Sequence, residues 1–427
     1  MKQMIRRWSP IAITLLLVLG IVLTGCGPAT PTLTPPPPTP TTAPPTPTPP
    51  LPTASPEPAG EKGPIVIGAV FNATGWMASY DQPPRQAALL AIEDINAQGG
   101  VLGRPLQLIE LDGKTDPTTV ESAARQLVEQ GAEVLIAPCD FDIGAPVSQV
   151  AQEMGMVGVS TCATSPLYSS LTLGDKQFTV GMWGNTMGAA MAEYGYKELG
   201  WRTAYIIVET TLDYSLSLGQ YFGEQFTSLG GQIVGQDTYL TGDQDFSAQI
   251  GRLKALSQEP DVLYISGVMP DIGVVVSQVR QAGIKTPIAG GDTYDDTSLF
   301  DLLGPEMGND IYMATHSWLG PEAGWEMTRF IDLYEGEYGQ PPVSSFIVMG
   351  WDTVEVLARA IGTTGTTEGG ALAQAMEKIQ FSLLSGNLRW TTAAEGHQPV
   401  KAAAIVQVQG GKPSFLNWIL PESLPKP

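Results

Sequence analysis

The chain has 427 residues, with 22 Lys and Arg against 43 Asp and Glu for a formal net charge of -21, three Cys and two His. That charge would repel a phosphate backbone, whose binding relies on Lys and Arg displacing counterions, so no nucleic-acid partner is expected. Three Cys are too few for a disulfide scaffold of this length, and two His without HExxH or CxxC argue against a metal centre; no cofactor is expected.

Residues 1–25 read as an export leader. Lys2, Arg6 and Arg7 form a basic start, and Ile11 to Leu23 an apolar stretch too short to span a bilayer of ~30 Å. Leu23-Thr24-Gly25-Cys26 is similar to the bacterial lipobox, which implies cleavage before Cys26 and lipidation of its sulfur. The alternative is an ordinary secretory signal with a chance Cys; either way the mature protein works outside the cytoplasm. Residues 26–63 then form a linker rich in Pro and Thr: sixteen of the 36 prolines fall between Gly27 and Pro64. Such a segment cannot bury a core and is expected to be an extended spacer, reaching up to roughly 100 Å at about 3.1 Å per residue. Loss of the leader leaves 19 cations against 43 acids, which favours solubility and separation from anionic lipid.

From Pro64 to about Leu420 the chain is long enough for two domains. Ile65 to Phe71 is a short β-branched run that suits a strand buried on both faces, and apolar residues at helical spacing follow from Pro84 to Asn96. The alternation continues with strands at Leu106–Leu111, Glu133–Ala137 and Met156–Ser160, and helices at Thr118–Glu129 and Ala145–Glu153. A second set begins after Trp183. Its helices are expected at Met187–Leu199, Leu216–Leu229, Phe246–Leu256 and Ile272–Ala282, and its strands at Ala204–Val208, Gln232–Gln236, Val262–Ser266 and Pro287–Ala289. The tail adds helices at Trp325–Tyr338 and Ser344–Ile361, then strands at Gly386–Trp390 and Val400–Val408. This alternation implies an α/β fold of two doubly wound parallel-sheet lobes. Ligands of such units bind beyond the carboxyl ends of the strands, which directs attention to loops 72–82, 138–144, 161–166, 209–215, 267–271 and 290–296.

The string AIEDINAQGG at residues 91–100, with Gly103 three residues on, resembles the type I periplasmic binding proteins, specifically the leucine/isoleucine/valine-binding family of ABC-transporter receptors. Further matches are Asp116-Pro117, Val159 to Pro166, Asp245 to Ala248, Val279 to Gly283, Gly350 to Asp352 and Val406 to Lys412. The resemblance implies two lobes joined by three crossovers, near Trp183, Ser317 and Trp390, that close on a small molecule. Lobe 1 is then 64–183 plus 317–390, and lobe 2 is 184–316 plus 391–427.

That family grips a ligand carboxylate with amides and hydroxyls after the third and fourth strands. By the resemblance Cys162, Ala163 and Thr164 occupy the matching loop, with Thr164 either the polar contact or a cap for the next helix. The loop from Cys139 to Gly144 departs from the pattern, since Asp140 or Phe141 stands where a small Ser would receive the carboxylate. An Asp there would repel it, and Phe141 would favour an apolar or aromatic ligand body. Asp292 matches the family's ammonium-binding carboxylate, Val268 stands where an aromatic often accompanies it, and Tyr80 and Tyr214 match cleft tyrosines. Trp183, Trp318 and Phe346 are assigned to packing at the crossovers. Cys139 and Cys162 follow strands expected to be parallel neighbours, so their Cα atoms could fall within the ~4.4–6.8 Å that a disulfide requires.

The expected function is that of a lipid-anchored, extracytoplasmic substrate-binding protein. It would capture a small polar solute, an amino acid or a related amide or acid, and deliver it to the transmembrane subunits of an ABC permease. A ligand sensor of the same fold is the alternative. An enzyme is not expected: there is no GxSxG and no GxxxxGK, and neither His316 nor His397 has a nearby nucleophile.

Overall fold

The computed structural model describes residues 63–427; the leader, Cys26 and the linker up to residue 62 lie outside the described residues. The first sheet is built from β1 (Ile65–Phe71), β2 (Leu106–Asp112), β3 (Val134–Ala137), β4 (Gly158–Ser160) and β5 (Gln177–Thr179). It runs in the order β2-β1-β3-β4-β5 and is parallel throughout. Between the strands come α1 (Ala78–Ala97), α2 (Pro117–Glu129), α3 (Phe141–Glu153) and the short α4 (Ser170–Leu173). β3 is buried along its whole length, because helices cover both faces of the sheet.

The second unit alternates α5 (Gly184–Lys197), β6 (Thr203–Glu209), α6 (Asp213–Ser228), β7 (Gln232–Tyr239), α7 (Ser247–Lys254), β8 (Val262–Ser266), α8 (Asp271–Gln281), β9 (Ile288–Gly290), α9 (Thr297–Met307) and β10 (Ile311–Thr315). The tail contributes α10 (Trp325–Tyr338), α11 (Phe346–Thr364) and α12 (Gly369–Met376). Strands β11 (Phe381–Leu383), β12 (Gly386–Trp390), β13 (Pro399–Val400), β14 (Ala403–Gln409) and β15 (Lys412–Ile419) complete it. The second sheet has the order β15-β14-β10-β9-β8-β6-β7, with β14 and β15 antiparallel to their neighbours, and β11-β12-β13 form a small third sheet.

Helix α1 begins at Ala78, ahead of the start expected at Pro84, and carries Pro83 and Pro84 inside it. Two prolines remove backbone donors, so propensity alone would place the start later. The early turn is held because Met77, Tyr80 and Asp81 are all buried. Gly350 allows α11 to lie directly on α1: a Cβ there would fall 1.7 Å from the Pro84 carbonyl oxygen. This packing brings the tail helices to the first lobe although they follow the second in sequence.

The first two passages between the sheets lie around Val180–Trp183 and after β10. The third, expected near Trp390, lies instead at Lys401–Ala402, between β13, which pairs with β12, and β14, which pairs with β10. Residues past Trp390 stay with the first lobe because His397 stacks on Phe178 at 4.0 Å and Gly396 accepts the Ser170 N–H. One buried network touches all three passages. Lys401 Nζ donates to Ser385 Oγ at 2.6 Å and to Val180 O at 3.3 Å. Asp352 accepts the Leu384 and Ser385 N–H groups at 3.0 Å, and Ser317 Oγ donates to Leu384 O at 3.3 Å. Burial pushes the Lys401 ammonium down to about 8, against the pull of Asp352.

Candidate functional site

The carboxyl ends of the two sheets face each other, and the loops that leave them enclose a cavity of about 20 Å³. From the first lobe its wall takes Trp76, Met77 and Tyr80 at the start of α1, Cys139 and Asp140 after β3, Thr164 after β4, and Phe346 at the start of α11. From the second lobe come Tyr214 of α6, Val268 after β8, and Asp292 and Thr293 after β9. The lobes touch around this space. Met269 N–H donates to Tyr80 Oη at 3.0 Å, Asp213 N–H to Asp142 Oδ2 at 3.1 Å, and Ser345 N–H to Asp295 Oδ2 at 2.8 Å; Ser165 Oγ donates to Asp213.

Asp81 organises the first-lobe side. It is fully buried, its Oδ2 accepts the Asn72 N–H at 3.0 Å and Asn72 Nδ2 at 2.6 Å, and its Oδ1 accepts the Cys139 N–H at 2.9 Å. It therefore joins the loop after β1, helix α1 and the loop after β3. Burial pushes its carboxyl up to about 6 despite these donors. Asp140 caps α3, accepting the Ile143 N–H at 3.1 Å. Its carboxyl is pushed up to about 7, first by burial and then by Asp142, with Asp81 adding a smaller push and the backbone N–H groups of Ile143 and Asp142 opposing. A disulfide joins Cys139 to Cys162, with Cα atoms 4.5 Å apart, and ties the loops after β3 and β4 together.

On the second lobe Tyr214 Oη donates to Asp292 Oδ1 at 2.8 Å and lies 3.1 Å from Thr293 Oγ1, which itself donates to Gly267 O at 2.8 Å. Burial, then Asp292, holds the Tyr214 phenol well above its ordinary range, so it stays a neutral donor. Gly291 permits this approach, since a Cβ there would lie 2.7 Å from Tyr214 Oη. Behind Asp292, the fully buried His316 brings Nε2 to 2.8 Å from Oδ2, in close contact but off line for a hydrogen bond. Asp296, not Asp292, caps the helix that follows, accepting the Ser298 N–H at 2.8 Å.

Two lobes with opposed strand ends and a cavity between them describe a solute-binding architecture, and similarity to known proteins agrees. Residues 64–412 match the periplasmic binding protein family. The chain belongs to that family. It is 27% identical over 305 residues to the Leu/Ile/Val-binding protein BraC3 of Rhizobium johnstonii, covering 71% of this chain and 80% of that one. Its structure is similar to the leucine-binding protein LivK of Thermotoga maritima, with a TM-score of 0.74, 26% identity, and coverage of 84% of this chain and 99% of that one. A comparable fold is found in the branched-chain amino acid substrate-binding protein LivJ of Streptococcus pneumoniae in complex with isoleucine, with a TM-score of 0.74, 24% identity, and coverage of 83% and 99%.

Within this periplasmic binding protein, Tyr80, Asp140, Thr164, Tyr214, Val268 and Asp292 come together at one cavity. Phe141, Cys162 and Ala163 do not reach it. Phe141 opens α3 and packs, half-buried, against the first-lobe core. Cys162 is fully buried and bonded to Cys139, and the Ala163 N–H is taken by Ser160 Oγ at 3.0 Å. Of the three aromatics assigned to the crossovers, Trp183 is buried at the first passage, Trp318 packs on Phe415, and Phe346 lines the cavity. Phe346 gets there because α11 lies along α1, and its ring meets that of Tyr80 edge-on at 5.2 Å. Trp76, Met77 and Thr293 also line the cavity; each lies within a loop named from strand register, though none is among the site residues expected from sequence.

Proposed function

We propose that this chain is the lipid-anchored, extracytoplasmic receptor of an ABC importer, capturing a small polar amine-bearing solute between its lobes and delivering it to the permease. One observation carries the reading: a single cavity takes side chains from both lobes, while the Met269 N–H to Tyr80 Oη bond spans the gap beside it. A ligand there contacts both lobes only when they are closed, so its binding free energy stabilises the closed form. Asp292, with Tyr214 donating to one of its oxygens, is the group that accepts the solute's ammonium, and Tyr80, Thr164 and Phe346 shape the opposite wall. The lobes divide at the three passages: residues 64–180 with 317–400, and 184–316 with 403–427. Lipidation of Cys26 would anchor the chain to the membrane.

The decisive experiment is small-angle scattering on the purified protein, titrated with a panel of amino acids, amides and amines. A solute that reduces the radius of gyration with a saturable dependence supports capture by closure. No reduction with any member of the panel counts against it. Anchoring is read separately from incorporation of labelled palmitate, which Cys26→Ser should abolish.

A further inference from the structure

The walls of the cleft are unequal in charge. Two carboxylates, Asp140 from the first lobe and Asp292 from the second, reach the cavity, and no Lys or Arg is among the residues that line it. Several of the groups that could cradle an anion are already occupied. Asp140's own carboxylate takes the Asp142 and Ile143 N–H groups at the start of α3, so the positive end of that helix is answered in part from within the chain. The Cys139 N–H goes to Asp81 and the Ala163 N–H to Ser160 Oγ. The Thr164 and Tyr80 hydroxyls and the Thr164 N–H remain as neutral donors, and none of them supplies the positive charge that would offset the repulsion between a ligand carboxylate and Asp140. Around the same space stand four aromatic rings, Trp76, Tyr80, Phe346 and Tyr214. Their π faces attract a cation most strongly where water is excluded.

We infer that the cleft selects a small organic cation that carries no carboxylate, an alkylamine or alkylammonium, held between Asp140 and Asp292 within the aromatic rings. This rests on the capture reading above and narrows it. A zwitterionic amino acid would satisfy Asp292 with its ammonium but would turn its carboxylate toward the wall that holds Asp140. Removing that carboxylate removes the repulsion and leaves both protein carboxylates attractive. The raised carboxyl of Asp140 is consistent with a site that lacks a countercharge. The groups facing it are acidic or neutral: Asp142 on its own helix, Asp81 and Tyr80 on α1, and, beyond Asp142, Glu209 and Asp213 of the second lobe. His316, the nearest imidazole, stands behind Asp292 and outside the wall.

Calorimetry with three solutes that share a branched five-carbon unit tests this on the purified protein: isopentylamine, leucine and 4-methylpentanoate. Isopentylamine is expected to bind at least tenfold more tightly than leucine, and 4-methylpentanoate not at all. Asp140→Asn keeps a side chain able to cap α3, and should weaken the amine at least tenfold while strengthening leucine. Circular dichroism of that variant checks that it remains folded. Leucine binding as tightly as the amine, any saturable binding of the acid, or an unchanged preference in Asp140→Asn would overturn the cation assignment. If none of the three binds, the assignment also fails. The scattering titration then separates the two ideas, because closure on some other solute keeps the capture reading and closure on none removes both.

Discussion

The two faces of the cleft solve one problem differently. Each presents a carboxylate at the end of a parallel strand, yet Asp292 is steadied by hydrogen bonding from Tyr214 with His316 close behind, whereas Asp140 is steadied only by the backbone N–H groups of its own helix and faces Asp142 and Asp81. Asp292 is a prepared acceptor. Asp140 is a carboxylate still short of a countercharge, and burial raises it further. Residue type and strand-end position are thus shared, and the neighbours decide the role.

Breaking the support beneath Asp140 should have the largest effect. Asp81→Ala strands the buried Asn72 and Cys139 N–H groups and the Asn72 amide, and should destabilise the protein by about 3–5 kcal/mol, read from urea unfolding. A loss below about 1 kcal/mol would mean that Asp81 does not organise this face. Next, Asp292→Ala removes the prepared acceptor; affinity for any amine ligand found in the titration should fall about 100-fold, while unfolding changes less than in Asp81→Ala. Tyr80→Phe removes only the acceptor for the Met269 N–H, and should weaken closure by about 1 kcal/mol, seen as a larger mean radius of gyration at saturating ligand.

The smallest effect concerns pH. Asp81, Asp140 and Asp295 are raised to about 6, 7 and 6, above their ordinary value of 3.8, so the folded protein holds protons that the unfolded chain has released. Their contribution favours folding in full below about pH 4 and is lost as pH rises through 6 to 7. Asp140→Asn removes one of these groups, so its Tm should fall less than that of the parent between pH 5 and 8. Equal slopes in the two proteins would show that Asp140 ionises normally.

Much of this organisation was legible because it depends on local pattern. Continuous β-branched runs gave the buried strands, the alternation gave the doubly wound units, and the strand ends named the loops that line the cavity. Other features depend on contacts between residues far apart in sequence. The early start of α1 defies two prolines because Met77, Tyr80 and Asp81 are buried against the rest of the lobe. Phe346, from the tail, enters the cleft only because Gly350 lets α11 rest on α1. The third passage moved to Lys401 because the pairing of β13 with β12 and the stacking of His397 on Phe178 outweigh any local signal at Trp390.

Sequence alone determined that this chain is an acidic α/β protein of two doubly wound units with carboxylates in the loops at its strand ends, because hydrophobic period, turn residues and charge are local properties of the chain. Only the tertiary structure decided which of those carboxylates is prepared and which lacks a countercharge, that Phe141, Cys162 and Ala163 stand outside the cavity wall, and that His316 stands behind Asp292. Burial and hydrogen-bond partners set these roles, and both come from segments that meet only when the chain folds.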